Sequence, residues 1–391
     1  MMSRLRWAVI TGEYPPQPGG VSDYTRLVAC GLARAGDEVH VWAPVSASAA
    51  PADPGVTVHH LPGHFGPRAL ARLDRALNGL PRPYRVLVQY VPQAFGCKGM
   101  NVPFCLWLCS RRRDPVWVMF HEVAFPLGRR QPLAHNLLGV VNRLMAVLLV
   151  RAADRIFVSI PGWASLLPGH ASGPRRVDWL PVPSNIPTAV APEAVADVRR
   201  RITASRNDVL VGHFGTFGGH VTALLAGVLP SLLYADARRV GLLVGRGGEQ
   251  FAGELIRAHP VLDGRLRATG VVAAEQVAAY LAACDCLVQP YADGVSTRRT
   301  SLMAGLALGL PIITTAGPLT EPLWQESGAV VLARSCCPAA VVAAVEVLLS
   351  DAGRRTQLRQ QAAALYETRF SLSQTIQSLR TSATGRHRAA A

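Results

Sequence analysis

The chain repeats one order of elements: an apolar run of strand length, a glycine-containing loop, a helical pattern and a second strand. In the first half, residues 5–11 lead into a loop that ends in Gly19-Gly20. In the second half, residues 209–214 lead into a glycine loop at 215–219. Continuously apolar strands are typical of parallel sheets that are buried on both faces. The sequence therefore predicts an α/β fold with two doubly wound, Rossmann-like domains.

The length of 391 residues exceeds one ordinary core, so we expect two domains of nearly equal size. A Pro- and Ala-rich stretch near the middle is typical of a connection between domains. The predicted divisions are an N-terminal domain over 1–183, a linker over 184–207, a C-terminal domain over 208–370 and a C-terminal segment with a tail over 371–391. We expect the two domains to face each other across a cleft, and the tail beyond Thr381 to be disordered.

The charge is strongly basic, since 40 Lys and Arg residues outweigh 25 Asp and Glu residues and give a formal net charge of +15. Lys98 is the only lysine, and this arginine bias with abundant alanine is typical of a GC-rich genome. No aromatic platform or recognition-helix pattern accompanies the arginines, so we predict no nucleic-acid partner. The charge gives modest support for an anionic substrate or an anionic membrane surface.

The cysteines and the apolar runs indicate a cytoplasmic protein. The 8 cysteines lie mostly in apolar runs without paired C-x-x-C spacing, which is typical of buried thiols in a reducing compartment. The first apolar run is too short for the core of a signal peptide, and no uncharged run of about 18 residues predicts a spanning helix. We interpret the long apolar pattern over 135–153 as a core helix. The alternative is a helix that lies on the inner membrane face.

The stretch 291–315 is the richest in chemistry. It opens with an acidic turn at Asp293-Gly294, becomes a small-residue helix that ends at Gly309, and continues as a strand. Donor side chains surround the predicted helix start: Ser296, Thr297, Arg298, Arg299, Thr300 and Ser301. A helix N-terminus offers unpaired N–H groups and partial positive charge to an anion, and arginine adds planar donors. The stretch predicts a diphosphate site, and a capped helix with two solvated arginines is the competing interpretation.

Two other features follow predicted strands. Gly19-Gly20 would let a ligand approach the backbone, but the loop lacks the full G-x-G-x-x-G pattern, so we predict no dinucleotide cofactor. His121-Glu122 follow the apolar run 116–120, a predicted strand. They would lie at the carboxyl end of the sheet, where ligands bind in an open α/β fold. An imidazole beside a carboxylate suits acid–base or hydrogen-bonding work, whereas a structural histidine is the alternative.

With these pieces in order, the chain resembles the GT-B glycosyltransferases, and most closely glycosyltransferase family 4, over nearly its whole length. The resemblance rests on the order and spacing of motifs at 11–21, 121–122, 152–159, 212–215, 244–247 and 293–311. It implies that the C-terminal domain binds a nucleotide-diphosphate sugar and the N-terminal domain binds a glycan or lipid-linked acceptor. It also implies transfer with retention of configuration and without a metal, so we expect no metal site and no cofactor beyond the donor substrate.

The resemblance assigns roles to individual residues. Gly19 and Gly20 would contact the donor phosphates and the transferred sugar, and His121 with Glu122 would lie near the reacting sugar. The residues expected to bind the donor in the second domain are Gly215, Thr216, His220, Arg246, Ser296, Thr297, Thr300, Ser301 and Glu321. Apart from the resemblance, we expect Trp163 and the loop 125–130 to contact the acceptor.

The chain departs from the family pattern in its charged residues. The two glutamates of the family signature correspond to Ser296 and Ala304, so both carboxylates are missing. The Arg and Lys pair that follows the first strand of the second domain is also absent. Our hypothesis is that Arg298 and Arg299, supported by His220, supply the missing positive charge and stabilise the leaving diphosphate in a catalytic role.

Two other functions are open, and the departures support the first of them. One is a catalytically silent relative that binds a nucleotide sugar or glycan and assists a partner. The other is a nucleotide-sugar epimerase on the same fold, which would need several acidic and histidine groups facing the sugar. Only His121, Glu122 and Glu321 are candidates for such groups.

Overall fold

The computed structural model describes residues 4–46, 52–169 and 177–381. They form two compact units, one that extends to Val182 and includes the segment from Leu372, and one over Pro183–Ser371. Each unit contains a parallel sheet with helices between successive strands. The predicted fold class, two Rossmann-like α/β domains, is confirmed.

Within its described residues, the first unit has a seven-stranded parallel sheet. The strands are β1 Arg6–Thr11, β2 Glu38–Pro44, β3 Val56–Leu61, β4 Arg85–Tyr90, β5 Val116–Phe120, β6 Arg155–Val158 and β7 Val177–Trp179. The helices are α1 Gly20–Arg34, α2 Pro67–Gly79, α3 Val102–Ser110, α4 Leu133–Ala152 and, from the C-terminal segment, α13 Leu372–Thr381. The strand order β3-β2-β1-β4-β5-β6-β7 reverses between β1 and β4.

The described part of the second unit has a six-stranded parallel sheet. Its strands are β8 Val209–Phe214, β9 Arg239–Val244, β10 Leu266–Ala268, β11 Cys286–Gln289, β12 Ile312–Thr315 and β13 Val331–Ala333. Its helices are α5 Pro192–Ile202, α6 Gly219–Ala235, α7 Gly248–Ala258, α8 Ala274–Ala282, α9 Thr300–Ala307, α10 Leu323–Glu326, α11 Pro338–Ser350 and α12 Ala352–Leu365. The order β10-β9-β8-β11-β12-β13 reverses between β8 and β11.

Both sheets are buried because their strands are apolar on both faces. In the first unit, Ile10 and Val88 belong to the core on one side of the sheet, whereas Val9 and Val41 belong to the core on the other. Burial on both faces explains why the strands read as continuous apolar runs rather than as alternating patterns.

The region predicted as a linker, 184–207, is part of the second unit instead. It contains α5, which packs against α8, and the Arg199 guanidinium donates to the carbonyl oxygens of Ala283 and Asp208 at 2.8 Å. Its Pro-rich composition is compatible with a helix because Pro192 occupies the first turn, where no backbone N–H is needed.

The C-terminal segment also differs from its prediction as a separate piece. Its helix α13 belongs to the first unit, where Ile376 and Leu379 are buried and Arg380 pairs with Asp37 at 3.3 Å. The prediction of a disordered tail beyond Thr381 lies outside the described residues.

All eight cysteines are free. Cys105, Cys284 and Cys286 are buried in agreement with the prediction, but Cys97 and Cys337 are exposed. Cys97 begins the short 3₁₀ helix Cys97–Gly99 and Cys337 directly precedes α11, so both lie outside the apolar runs of the strands.

Candidate functional site

The strand order of the second unit places its candidate site. In a doubly wound sheet, ligands bind outside the carboxyl ends of the strands where the strand order reverses. That point lies between β8 and β11. The loops that follow β8, β9 and β11 therefore form the candidate site: 215–218, 245–247 and 290–299.

These loops approach one another at two glycines. A Cβ on Gly245 would lie 2.2 Å from the carbonyl oxygen of Gly215, and its φ of 120° is unfavourable for other residues. A Cβ on Gly215 would lie 3.9 Å from Ser301 in the first turn of α9. Thr216 is exposed beside this contact. The structure thus brings Gly215, Thr216 and Ser301 together, as the diphosphate interpretation requires.

The Tyr291 side chain holds the first turn of α9. The Tyr291 hydroxyl is 2.9 Å from Ser301 Oγ, and the Arg299 guanidinium lies 4.6 Å from the centre of the Tyr291 ring. Burial raises the pKa of Tyr291 to about 12, so its hydroxyl stays protonated near neutral pH. Thr300 begins α9 and is partly exposed.

Arg298 and Arg299 both pair with Asp293. Arg298 Nη2 donates to Asp293 Oδ2 at 2.9 Å, and Arg299 Nη2 pairs with the other carboxylate oxygen. Together these two guanidinium groups and one carboxylate carry a net charge of +1. The two arginines are therefore paired as well as partly exposed, and Asp293 balances part of their charge.

Glu321 holds the loop before α9. One of its oxygens accepts hydrogen bonds from the Thr297 backbone N at 3.0 Å and from Thr297 Oγ1 at 2.7 Å. Its other oxygen accepts from Trp324 Nε1 at 2.7 Å, and the side chain is buried. Because both oxygens are occupied, we interpret Glu321 and Thr297 as positioning residues for this loop.

The positions of the missing family glutamates differ in their surroundings. Ala304 is fully buried in α9. Ser296 is also buried, and its Oγ has no hydrogen-bond partner within the part of the chain that the structure describes. A buried hydroxyl without a partner is uncommon and is a candidate ligand contact.

Arg246 and His220 lie at the rim of the site. The Phe217 backbone N donates to the Arg246 carbonyl oxygen at 3.2 Å, which ties the β8 and β9 loops together. The Arg246 guanidinium is exposed and bonds to no described residue, and His220 is exposed in the first turn of α6.

Sequence reasoning missed His213, a polar residue near the end of an apolar strand. Its Nδ1 is 2.8 Å from the Val288 carbonyl oxygen, and its Nε2 would be 3.7 Å from a Cβ on Gly215. Burial lowers the pKa of His213 to about 4, so the imidazole is neutral near neutral pH. If Nδ1 donates to Val288, Nε2 is a hydrogen-bond acceptor beneath the β8 loop.

In the first unit, His121 follows β5 as predicted. Its Nε2 is 2.9 Å from Gln89 Oε1 at the end of β4, and Trp163 Nε1 donates to its carbonyl oxygen at 2.9 Å. Burial lowers the pKa of His121 to about 3. A neutral imidazole at physiological pH favours the hydrogen-bonding interpretation over a general acid.

Glu13 is a second residue that sequence reasoning missed, and it lies next to the predicted Gly19. A Cβ on Gly19 would be 2.5 Å from Glu13 Oε2, whereas Gly20 has open space beside it. Burial, and then the negative charge of Glu122, raise the pKa of Glu13 above its ordinary value. Two interacting carboxylates therefore lie at the carboxyl edge of this sheet.

Across the described residues, no three His, Cys, Asp or Glu side chains are placed to hold a metal ion.

Glu13→Gln is expected to raise the melting temperature above that of the wild type at neutral pH but not at acid pH. The raised pKa means that the folded protein binds this proton more tightly than the unfolded chain does. Ionisation as the pH rises through the raised pKa therefore destabilises the fold, and glutamine cannot ionise. Thermal melts across this pH range measure the difference. Exposed Glu326→Gln is the control, and an equal pH-dependent gain in both variants would contradict the assignment.

Two family models match the chain. The model described as Glycosyl transferase 4-like domain matches residues 19–183, and the model described as Glycosyl transferases group 1 matches residues 209–351. The chain belongs to the GT-B glycosyltransferases. The two matches fall on the two units, so the resemblance to this family is confirmed at the level of GT-B.

Three solved structures share the fold of this chain. HepE from Anabaena, crystallised with UDP and glucose, is 17% identical with a TM-score of 0.65, covering 97% of this chain and 99% of its own. WaaG, a glycosyltransferase involved in lipopolysaccharide biosynthesis, is 15% identical with a TM-score of 0.66, covering 97% and 100%. A glycosyltransferase from Rickettsia africae is 11% identical with a TM-score of 0.69, covering 96% and 97%. A search of curated proteins finds no match.

Proposed function

We propose that this GT-B glycosyltransferase moves a sugar from a uridine-diphosphate sugar to a glycan or lipid-linked acceptor, with retention of configuration and without a metal. The observation that carries the proposal is the convergence of the β8 loop, the β9 turn and the first turn of α9 around Gly215. Backbone N–H groups and hydroxyls at a helix start suit a diphosphate. The uridine assignment is supported by HepE, which has been crystallised with UDP and with UDP-glucose.

The second unit is proposed to bind the donor. Ser301 and Thr300, at the start of α9, and Thr216, after β8, donate to the diphosphate oxygens. The net positive charge of Arg298, Arg299 and Asp293 stabilises the negative charge that develops on the leaving diphosphate. From the rim of the site, Arg246 is proposed to contact the nucleotide and His220 the phosphates.

The first unit is proposed to bind the acceptor and the transferred sugar. Glu13 and Glu122 accept hydrogen bonds from sugar hydroxyls beside Gly19-Gly20, where the open space at Gly20 admits a ligand. The neutral His121 imidazole, oriented by Gln89, forms a hydrogen bond to the reacting sugar rather than transferring a proton.

The acceptor is proposed to be a component of the cell envelope. The proposal is supported by WaaG, which shares the fold and is involved in lipopolysaccharide biosynthesis. The formal charge of +15 suits an anionic acceptor. We also propose that the protein belongs to glycosyltransferase family 4 and that the transferred sugar is a hexose.

Calorimetric titration with UDP-glucose, GDP-glucose and ADP-glucose is expected to show at least about tenfold tighter binding of the uridine donor, a difference of about 1.4 kcal/mol. A coupled assay of UDP release with candidate acceptors then measures turnover, which a metal chelator should leave unchanged. Binding without turnover on any acceptor would favour the catalytically silent relative. No binding of any donor would overturn the proposed function.

A further inference from the structure

Helix α4 has two apolar faces, and the described residues of the first unit cover only one of them. The buried face packs on the core with Gly139, Asn142, Met145, Ala146 and Leu149. The other face is exposed, and its exposed fractions are 87% for Leu133, 58% for Leu137, 55% for Val140 and 49% for Leu144. Their spacing of three and four residues places these side chains in one stripe along the helix.

The loop before α4 extends this apolar surface. Leu127 is 48% exposed, and its Cδ2 would be 2.7 Å from a Cβ on Gly139, so it packs directly on the helix. The Arg143 guanidinium donates to the Phe125 carbonyl oxygen at 3.0 Å and to the Gly139 carbonyl oxygen at 2.9 Å. Loop and helix therefore form one surface, which we call the α4 surface: Leu127, Arg129, Arg130, Leu133, Leu137, Val140, Leu144 and Arg151.

The charges of the α4 surface all have one sign. Residues 123–153 contain four arginines and no Asp or Glu. Arg129 and Arg130 lie at one end of the stripe and Arg151 lies at the other, and all three are exposed. An exposed apolar stripe with arginines at its ends and no carboxylates is complementary to a bilayer with anionic headgroups.

The contacts of the buried face of α4 favour a helix that lies on a membrane over one that spans it. By length and composition alone, α4 is apolar enough to cross a membrane. However, Asn142 Nδ2 donates to the Gly99 carbonyl oxygen at 2.7 Å, and Asn142 Oδ1 accepts from the Phe125 backbone N at 3.1 Å. Spanning would remove this face from the core and leave the amide in hydrocarbon, which is unfavourable.

We propose that the α4 surface docks the protein on an anionic membrane, with the leucine stripe in the headgroup region and the arginines on anionic lipids. This inference is independent of the sugar donor, because it rests on the outer face of α4 alone. It supplies a means by which the first unit reaches an acceptor held in a lipid bilayer.

Co-sedimentation with vesicles tests the proposal, using phosphatidylcholine alone and phosphatidylcholine mixed with phosphatidylglycerol. We expect salt-sensitive binding to the mixed vesicles only. Arg129→Gln/Arg130→Gln should weaken binding about 30-fold, because each basic residue near such a surface contributes about fivefold. Leu137→Gln/Leu144→Gln should abolish binding.

Matched controls alter equivalent side chains on the second unit. Val271→Gln/Val347→Gln replaces two apolar residues that are 71% and 70% exposed, and Arg257→Gln/Arg267→Gln replaces two exposed arginines. Both should bind vesicles as the wild type does, and thermal melts establish that each variant is folded. Unchanged vesicle binding by the leucine variant would overturn the proposal. A lipid-free dimer that this variant dissociates, without vesicle binding by the wild type, would instead assign the surface to a second copy of the chain.

Discussion

Arg298→Ala/Arg299→Ala is expected to lower kcat/KM about a thousandfold, because removing preorganised donors from a developing oxyanion costs about two to three powers of ten. The two guanidinium groups lie at the start of α9 and together exceed the charge of Asp293 by one unit. No other arginine or lysine lies between 290 and 315. Steady-state kinetics with the uridine donor measure turnover, and calorimetry measures donor binding.

The variant Asp293→Asn distinguishes two possible roles of Arg298 and Arg299, which are binding of the diphosphate and holding of the loop before α9. If the arginines act on the diphosphate, removal of their carboxylate partner leaves donor binding intact or makes it tighter. If the ion pairs only hold the turn, Asp293→Asn would damage activity as much as the double arginine variant does. Arg257→Ala/Arg267→Ala, on exposed arginines of the same unit, controls for net charge.

Gly245→Ala is expected to abolish measurable donor binding and to destabilise the second unit by about 1–3 kcal/mol. The new Cβ would lie 2.2 Å from the Gly215 carbonyl oxygen, so the β8 and β9 loops must separate. A φ of 120° adds backbone strain for any residue with a side chain. Thermal melts measure the loss of stability, and calorimetry with the uridine donor measures the loss of binding.

Gly253→Ala provides the matched control for this substitution. Gly253 lies in α7, which begins shortly after Gly245, and nothing is within 4 Å of its added Cβ. Alanine there should stabilise the helix by up to about 1 kcal/mol and leave donor binding unchanged. Normal donor binding by Gly245→Ala would show that the contact between the two loops is not part of the donor site.

Much of the fold was predictable because the dominant signal is local. Buried parallel strands are short apolar runs, and β1, β4, β5, β9 and β12 all show this pattern in the sequence. The end of α9 was equally readable, since Gly309 at φ 61° closes the helix with hydrogen bonds from Gly309 N to Leu306 O and from Leu310 N to Gly305 O. Helix α5 was missed because its proline-rich start also suits a linker.

The candidate site was only partly predictable. Glycine loops and a hydroxyl-rich helix start are local patterns, so Gly215, Thr216 and Ser301 could be found from sequence. His213 and Glu13 were missed because each looks ordinary in its own segment. His213 is significant because Gly215 lies beside it, and Glu13 is significant because Gly19 and Glu122 lie beside it.

The sequence by itself determined two α/β units, the glycine loops that follow β1 and β8, and membership of a glycosyltransferase family. These depend on the order of residues along the chain, and local periodicity and spacing carry that information. Only the tertiary structure decided that Arg298 and Arg299 share Asp293, that Glu321 holds Thr297, and that α4 leaves one apolar face uncovered. Partners and exposure are set by which segments the fold packs together, and residues distant in sequence give no local sign of their contacts.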